Sequence, residues 1–433
     1  MTDLLAARSQ MAMSLAFHIL FAVAGMAMPA LMAIAEGMWL RTRDPVYLDI
    51  AHRWAKGTAI LFAVGAVSGT VLSFELGLLW PEFMAFAGPM IGMPFSFEGF
   101  AFFFEAIFLG VYLYGWDRVP ERVHFLSGIG VLAAGTASGA FVVCVNAWMN
   151  HPVGFELDAA GAVISVDLWA AMFNPAAPTQ VAHMTVAAFE AVGFAAAGIH
   201  ALGLLRAPSS EFHRKALGVA LAVAVPAALI QPVVGHMSGE YVAHHQPVKL
   251  AAMEAHWETS ARAPLQIGGL VDEEAEQTRW ALKIPWALSI LANRDPDTVV
   301  LGLSDVPRSD RPPVAITHWA FDIMVGLGTL LALVSIAVLL LGLRARGVPT
   351  SPRLLRALVA CGPLGLIALE AGWVVTEVGR QPWVVRGHLR TAEAVTPMPG
   401  LIGPFAVFTG LYLVLGVVVI VLLRRHVLAA PDA

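Results

Sequence analysis

Cysteine, charge and internal repetition are all scarce in this sequence, and each shortage excludes something. Cys144 and Cys361 are the only two cysteines in 433 residues, and both lie inside apolar runs. A disulfide framework, a CxxCH attachment site and a four-cysteine iron–sulfur centre are thereby excluded. Charged residues make up 13% of the chain, whereas an average soluble domain carries roughly 25%. With 58% hydrophobic residues and a mean hydropathy of +0.72, much of the chain is expected in lipid. The net charge of -5 offers no basic surface, so no nucleic-acid partner is expected. No internal repeat is visible, which argues against an inverted-repeat transporter. The first apolar segment runs from about Met11 to Leu40 without a small-residue cleavage site, too long for the core of a signal peptide.

What is present is a series of apolar stretches. A helix needs roughly 20 apolar residues to cross the hydrocarbon. Stretches near 11–40, 54–80, 95–116, 123–149, 180–205, 216–236, 315–343, 354–379 and 400–423 qualify. The fold class expected is an all-α, polytopic transmembrane helical bundle of about nine spans. Residues 1–236 carry spans one to six, a polar segment at 237–314 lies outside the bilayer, and 315–433 carry spans seven to nine. Basic residues follow the odd spans: Arg41, Arg43, Arg53 and Lys56, then Arg118 and Arg122, then Arg206, Arg214 and Lys215. Arg344, Arg346, Arg353 and Arg356 continue the pattern, and Arg424 and Arg425 close it. The alternate short loops, about 81–94 and 150–179, contain neither Lys nor Arg. The positive-inside rule then places the N-terminus and the 237–314 segment outside and the C-terminus in the cytoplasm.

Ionisable residues inside hydrocarbon are costly and are functional candidates by default. Here they are His18, Glu75, Glu98, Glu105, His183, Glu190, His200, Glu370 and Glu377, joined by Met324 because a thioether ligates iron. At 1.5 Å per residue, His18, Glu98, Glu105, His183, Met324 and Glu370 all fall in the outer half of the membrane. Candidates from five helices thus converge on one layer. Zinc or an iron–sulfur cluster would want clustered Cys and His, and a proton relay has no use for a methionine. Haem accepts His, Met and carboxylate ligands, one per face, from different helices. Glu98 and Glu105 are seven apart and share a helix face. Gly65-x-x-x-Gly69 and Gly135-x-x-x-Gly139 read first as close helix packing. Glu75, Glu190 and His200 read as interior polar residues, and His52, His124, His213 and His426 as interfacial ones.

Several segments resemble the large subunit of cytochrome bd-type quinol oxidases. They are Arg8-Ser9-Gln10, Phe17-His18-Ile19-Leu20-Phe21, Glu98-Gly-Phe-Ala-Phe-Phe-Phe-Glu105, Gly115-Trp116-Asp117-Arg118 and Asn146-Ala147-Trp148-Met149. Gln246-Pro-Val-Lys249-Leu-Ala-Ala-Met-Glu254, Trp257-Glu258-Thr259 and Ile284-Pro285 follow. Phe321-Asp322-Ile323-Met324-Val325, Glu370-Ala371-Gly372-Trp373 and Gly379-Arg380-Gln381-Pro382-Trp383 complete the series. The matches keep family order over almost the whole chain, and the Gly-Arg-Gln-Pro-Trp and Lys-Leu-Ala-Ala-x-Glu strings are the specific ones.

The resemblance implies that His183 and Met324 are the axial ligands of a low-spin haem b, which, filled on both faces, passes electrons without binding oxygen. It implies that His18 and Glu370 each serve one of two high-spin haems, a second haem b and a haem d (or haem b in its place). Glu98 and Glu105 are implied as proton carriers beside that pair. Lys249 and Glu254 fall in the outward loop that binds quinol, while Arg380, Trp373 and Asn146 support haem propionates, electron transfer or a proton route. The implied reaction takes two quinols and one O2 to two quinones and two waters. Quinol is oxidised at the outer face and protons are drawn from the cytoplasm, so charge separates without pumping. A second membrane subunit, and a further small one, are implied partners in the bacterial cytoplasmic membrane. Asp322 stands where the family pattern has a basic residue, the Glu98–Glu105 spacing is one residue shorter than in some members, and the outward loop is of the short kind. Two alternatives stay open: an oxidase with haem b alone, or a haem-containing sensor or transporter without oxidase activity.

Overall fold

The computed structural model describes residues 1–427. Within them, nine helices are long and apolar enough to cross a membrane. They are α1 (Asp3–Thr42), α2 (Pro45–Leu79), α3 (Pro81–Tyr114), α4 (Glu121–Asn150), α5 (Ala177–Arg206), α6 (Glu211–His245), α7 (Val314–Ala345), α8 (Pro352–Val378) and α9 (Ile402–His426). The all-α transmembrane bundle expected from hydropathy is the observed fold. Local chemistry marks its boundaries. The Thr2 hydroxyl and the Asp44 carboxylate accept the free N–H groups of Leu5 and Val46, at 3.2 and 3.0 Å, where α1 and α2 begin. Pro45 and Pro81 start α2 and α3, where the missing N–H costs nothing. Between Cys361 and Leu364, Gly362-Pro363 divides α8 into two pieces, Pro352–Cys361 and Leu364–Val378.

Some helices exceed the spans read from hydropathy. α3 begins at Pro81, not near residue 95, because prolines at 89 and 94 are carried within the helix, as lipid-embedded helices permit when neighbours satisfy the freed groups. α6 continues to His245, so the polar connection starts at Gln246 and not at residue 237. Nothing between Met237 and His245 breaks a helix; Pro247 does.

α1 is the hub, packing against α2, α4, α5, α6, α8 and α9. Because successive spans alternate in direction, the connections 151–176, 246–313 and 379–401 gather at one end of the bundle. The two- to six-residue links after α1, α3, α5 and α7 gather at the other. The loop-rich end carries all the strands among the described residues, as five antiparallel pairs such as Leu265–Ile267 with Leu282–Ile284 and Leu270–Asp272 with Gln277–Arg279. Short helices at Pro247–Met253 and Ala287–Asn293 complete the 246–313 segment, which is therefore folded and not a loose loop.

Helices approach closely where side chains vanish. A Cβ at Gly193 of α5 would lie 2.9 Å from the Ala224 backbone of α6, and one at Gly365 of α8 would lie 2.6 Å from Ala191 Cα of α5. In lipid, where apolar burial drives little association, such contacts supply much of the packing. Replacing Gly193 with Leu is expected to force α5 and α6 apart, at a cost of about 1–3 kcal/mol. A lower unfolding temperature of the detergent-solubilised protein would show it; an unchanged one would mean the seam is slack.

Candidate functional site

A cavity of about 410 Å³ opens beneath the 246–313 segment, between α5, α6, α7 and α8. Its size lies within the range of small-molecule and cofactor sites. Of the residues singled out in the sequence, His183, Met324, Trp373, Asn146, Lys249 and Glu254 line it, and so does Glu190, read from the sequence as an interior polar residue. They come from α5, α7, α8, α4 and the segment after α6, so no local stretch could have assembled them.

His183 is held from α6. The Gln231 amide nitrogen lies 3.3 Å from its Nδ1 and 3.3 Å from its carbonyl oxygen, leaving Nε2 as the ring nitrogen without a protein partner. The contact fixes the ring's orientation; a ligating histidine normally donates through its second nitrogen, a role that an amide nitrogen does not receive, so Gln231 positions the ring without setting its tautomer. Gly235 and Gly372 keep space beside the two ligand candidates. A Cβ at Gly235 would stand 3.4 Å from the His183 ring, and one at Gly372 would stand 3.0 Å from Met324 Sδ. Bulk at either position would press a candidate ligand out of place.

The mouth of the cavity is ionisable. Lys249, on the Pro247–Met253 helix, is buried; its Nζ donates to Asn150 Oδ1 at 2.5 Å and to the Thr376 carbonyl at 3.3 Å. Burial, aided by the nearby Arg380 charge, holds its pKa well below the usual lysine value. Glu254 is also buried, with Oε2 unpaired, and burial together with the Asp322 charge pushes its carboxyl up to about 8. The native protein therefore keeps a proton that the unfolded chain releases above 4.5. This group's contribution to stability is present in acid and lost as pH rises towards 8.

Behind the cavity, Glu377 is held on both oxygens, by the Asn146 amide on one side and by Arg380, at 2.5 Å, on the other. Arg380 is itself buried, with Nε and Nη1 unpaired. Two unpaired buried guanidinium nitrogens call for an acceptor, and a carboxylate of a bound group suits them. Asn146, Asn150 and Thr376 continue the network, the Thr376 hydroxyl donating to Asn146 Oδ1 at 3.0 Å.

His18, Glu98, Glu105, Glu370 and Arg380 do not line this cavity. His18 Nδ1 lies 2.9 Å from the Ser68 hydroxyl, with its ring over Gly69, where a Cβ would approach to 3.0 Å. Gly69 therefore seats a candidate ligand as well as a helix contact. Glu98 accepts from Ser138 at 3.3 Å. Glu105 is buried between Gly25 and Gly135, each of whose Cβ atoms would reach it at 3.2 Å. Glu370 carries a buried Oε1 with no partner.

Comparison with known proteins identifies the family. Residues 6–431 match the family model of cytochrome bd terminal oxidase subunit I. The chain belongs to the cytochrome bd terminal oxidase subunit I family. It is 38% identical to the putative cytochrome bd menaquinol oxidase subunit I of Bacillus subtilis over 98% of both chains. It is 32% identical to the cytochrome bd ubiquinol oxidase subunit 1 of the same organism, over 99% of this chain and 94% of that one. The bd oxidase structure from Geobacillus thermodenitrificans superposes with a TM-score of 0.91 at 42% identity, covering 98% of this chain and 99% of that one. The protein is a quinol oxidase subunit of a haem-containing family.

The bd-oxidase cavity also uses residues that sequence reading gave no role. Gln231, Asn150 and the oxygens of Glu377 are recognised only by their partners. His124, read as interfacial, is fully enclosed, its Nδ1 2.8 Å from the buried Glu36. That pairing satisfies it without water, which is why it can leave the interface. Asp322, the departure from the family pattern, turns to the connecting segment: its Oδ2 accepts the Gly268 N–H at 2.5 Å and lies 3.5 Å from His318 Nε2. His318 reaches the carbonyls of Met253 and Gly268, at 2.7 and 3.0 Å. This pair ties the segment carrying Lys249 and Glu254 to α7. Asp322→Asn is expected to speed amide hydrogen exchange around Gly268 with the bundle unaffected; unaltered protection there would remove Asp322 as the anchor.

Proposed function

We propose that this chain is the haem-bearing catalytic subunit of a terminal oxidase in the bacterial cytoplasmic membrane, working with a second membrane subunit and, in some assemblies, a small third one. It oxidises quinol at the outer face and reduces O2 to water with protons taken from the cytoplasm, separating charge without pumping. The observation that carries this reading is a single cavity with a free histidine nitrogen, a thioether and a buried Lys–Glu pair at its mouth. The basic links after the odd-numbered spans support an outward N-terminus and loop-rich end, and a cytoplasmic C-terminus.

His183 and Met324 are proposed as the residues that would hold a low-spin haem b. His18 is proposed to serve one of two high-spin haems, a second haem b and a haem d (or haem b in its place). When bound, the haems supply electron transfer and oxygen reduction. The chain's own residues bind, orient and move protons. Glu254, in ionised form, accepts a proton from the quinol hydroxyl, and Lys249 positions the ring by donating to its oxygen. Arg380, with two unpaired nitrogens, would pair with a carboxylate of the bound group. Trp373 packs at the cavity wall, and Glu98 and Glu105 hold protons for water formation.

For the remaining haem, α8 offers two carboxylates. Glu370 is the one implied by the sequence motif. Glu377 is favoured by its surroundings, because a ligating carboxylate is itself oriented by hydrogen bonds, and Asn146 and Arg380 provide them.

Reduced-minus-oxidised visible spectra of the purified complex test the assignment. His183→Ala and Met324→Ala should each abolish the low-spin haem signal, and Glu377→Gln should lose a high-spin haem that Glu370→Gln retains. A full low-spin signal in either of the first two would sink the cavity assignment, and the reverse pattern in the second two would restore Glu370.

Quinol turnover tests the mouth. Because Glu254 accepts protons only when ionised, kcat/KM for quinol is expected to rise through a pH of about 8. Glu254→Gln should lower the rate and flatten that rise at normal haem content. An unchanged profile would place quinol elsewhere.

A further inference from the structure

The proton carriers Glu98 and Glu105 lie near the middle of the bundle, beside Ser138 and Gly135 halfway along α4, so protons from the short-link end need a path that those two residues do not supply. Along α3 the series Glu98, Glu105, Tyr112 repeats every seven residues and keeps one face, each step covering about 10 Å. Tyr112 is wholly buried, and its hydroxyl has no hydrogen-bond partner. It faces Glu36 of α1, also wholly buried, whose Oε2 is likewise unpaired. Glu36 Oε1 is 2.8 Å from His124 Nδ1, and His124 Nε2 is 2.9 Å from the Tyr112 carbonyl.

Unpaired acid and hydroxyl groups sealed in a bundle are costly and do nothing for packing. Two such atoms facing one another mark a place for water. Along this seam the three helices approach closely. Gly25 and Glu36 are eleven residues apart on α1, as are Gly135 and His124 on α4, a spacing that returns each pair to one helix face about 16 Å apart. A Cβ at Gly135 would strike the Gly25 carbonyl at 2.9 Å, and one at Gly128 would strike the Tyr112 ring at 2.7 Å. Pro29 has no N–H to offer the Gly25 carbonyl, leaving that oxygen free of its helical bond beside Glu105. Leu109 is the apolar residue between Glu105 and Tyr112 on the same face.

The column also has an opening. His124 stacks on Trp116 at 3.9 Å between ring centroids, and His52 meets the other side of Trp116 at 4.0 Å. His52 is half-buried, with Nε2 unpaired, and the charged groups around it are Lys56, Asp49 and Asp117.

We infer that Glu36, His124 and Tyr112 form the uptake end of the proton route, receiving protons near His52 and passing them through water along the α1–α3–α4 seam to Glu105. This rests on the oxidase reading above. Each transfer moves one proton from an acid to the next acceptor, with no change of oxidation state. Glu36 is the acid that holds the proton, His124 is its exchange partner, and the Tyr112 hydroxyl relays it upward.

The test uses the purified complex, measuring oxygen consumption with quinol in water and in deuterium oxide. Haem content and anaerobic haem reduction by quinol are recorded alongside. Tyr112→Phe removes only a hydroxyl that makes no hydrogen bond, so it should assemble normally. It and Glu36→Gln are each expected to slow turnover about tenfold or more and to enlarge the solvent isotope effect, with haem content and anaerobic reduction unchanged. Wild-type turnover and isotope effect in Tyr112→Phe and Glu36→Gln overturn the relay. Should Glu36→Gln fail to assemble, the Tyr112→Phe result decides alone. Slowed turnover accompanied by lost anaerobic reduction assigns these residues a structural role and also overturns it. An unsubstituted complex without haem would instead defeat the oxidase reading, so the two failures are distinct.

Discussion

Water is absent from the hydrocarbon, and every polar group placed there must find its partner within the protein. That constraint accounts for most of what is unusual in this bundle. Glu75 is enclosed with Gln10 and Ser14 both donating to its Oε1 at 2.9 Å, while its Oε2 has no partner. His124 leaves the interface because Glu36 and a carbonyl oxygen complete its two nitrogens. Partners are missing at several buried atoms, and those of Arg380, Glu254, Glu36 and Tyr112 fall behind the cavity, at its mouth and along the seam from the far end. Unsatisfied polarity in such a protein is therefore informative: it points to where a cofactor, a substrate or water belongs.

The two ends of the molecule divide the work. The loop-rich end has backbone that is neither helical nor in contact with lipid, folded into short strand pairs and held down by His318 and Asp322. It lays Lys249 and Glu254 over the cavity, where burial shifts both towards neutrality. The opposite end has links of two to six residues and a compact aromatic–acid cluster. Small residues join the ends: glycines on α1, α4, α5, α6 and α8 bring backbones together and leave room for Glu105, His183 and Met324 where larger residues would not. The cavity and the seam thus share one packing device.

Much of the candidate site was legible because its chemistry is expensive. Histidine or glutamate within an apolar run stands out on composition alone, and His183 and Glu190 so marked meet Met324 around one cavity; Asn146, Trp373, Lys249 and Glu254, which also line it, were marked by the family resemblance. Others were marked but not correctly grouped. Glu377 was recognised as an intramembrane carboxylate, yet its orientation by Asn146, 231 residues away, cannot be read from spacing. Gln231 and Asn150 carry no signal of their own, since an amide near a helix end is ordinary until its partner is known. Tyr112 was hidden among the aromatic residues of a lipid-facing helix.

Hydropathy and charge by themselves determined the nine spans, the all-α class and the alternation of basic links, because transfer into lipid is a sum over residues and needs no knowledge of neighbours. They also marked His183 as an ionisable residue in lipid and Met324 as a thioether in the same layer, each ordinary alone and informative only together. Only the tertiary structure decided which polar groups face one another, which remain unpaired, and where the helices actually end. Those outcomes depend on how the helices are rotated and how closely they approach. Both are set by contacts between residues far apart in the chain, and no window along the sequence contains them.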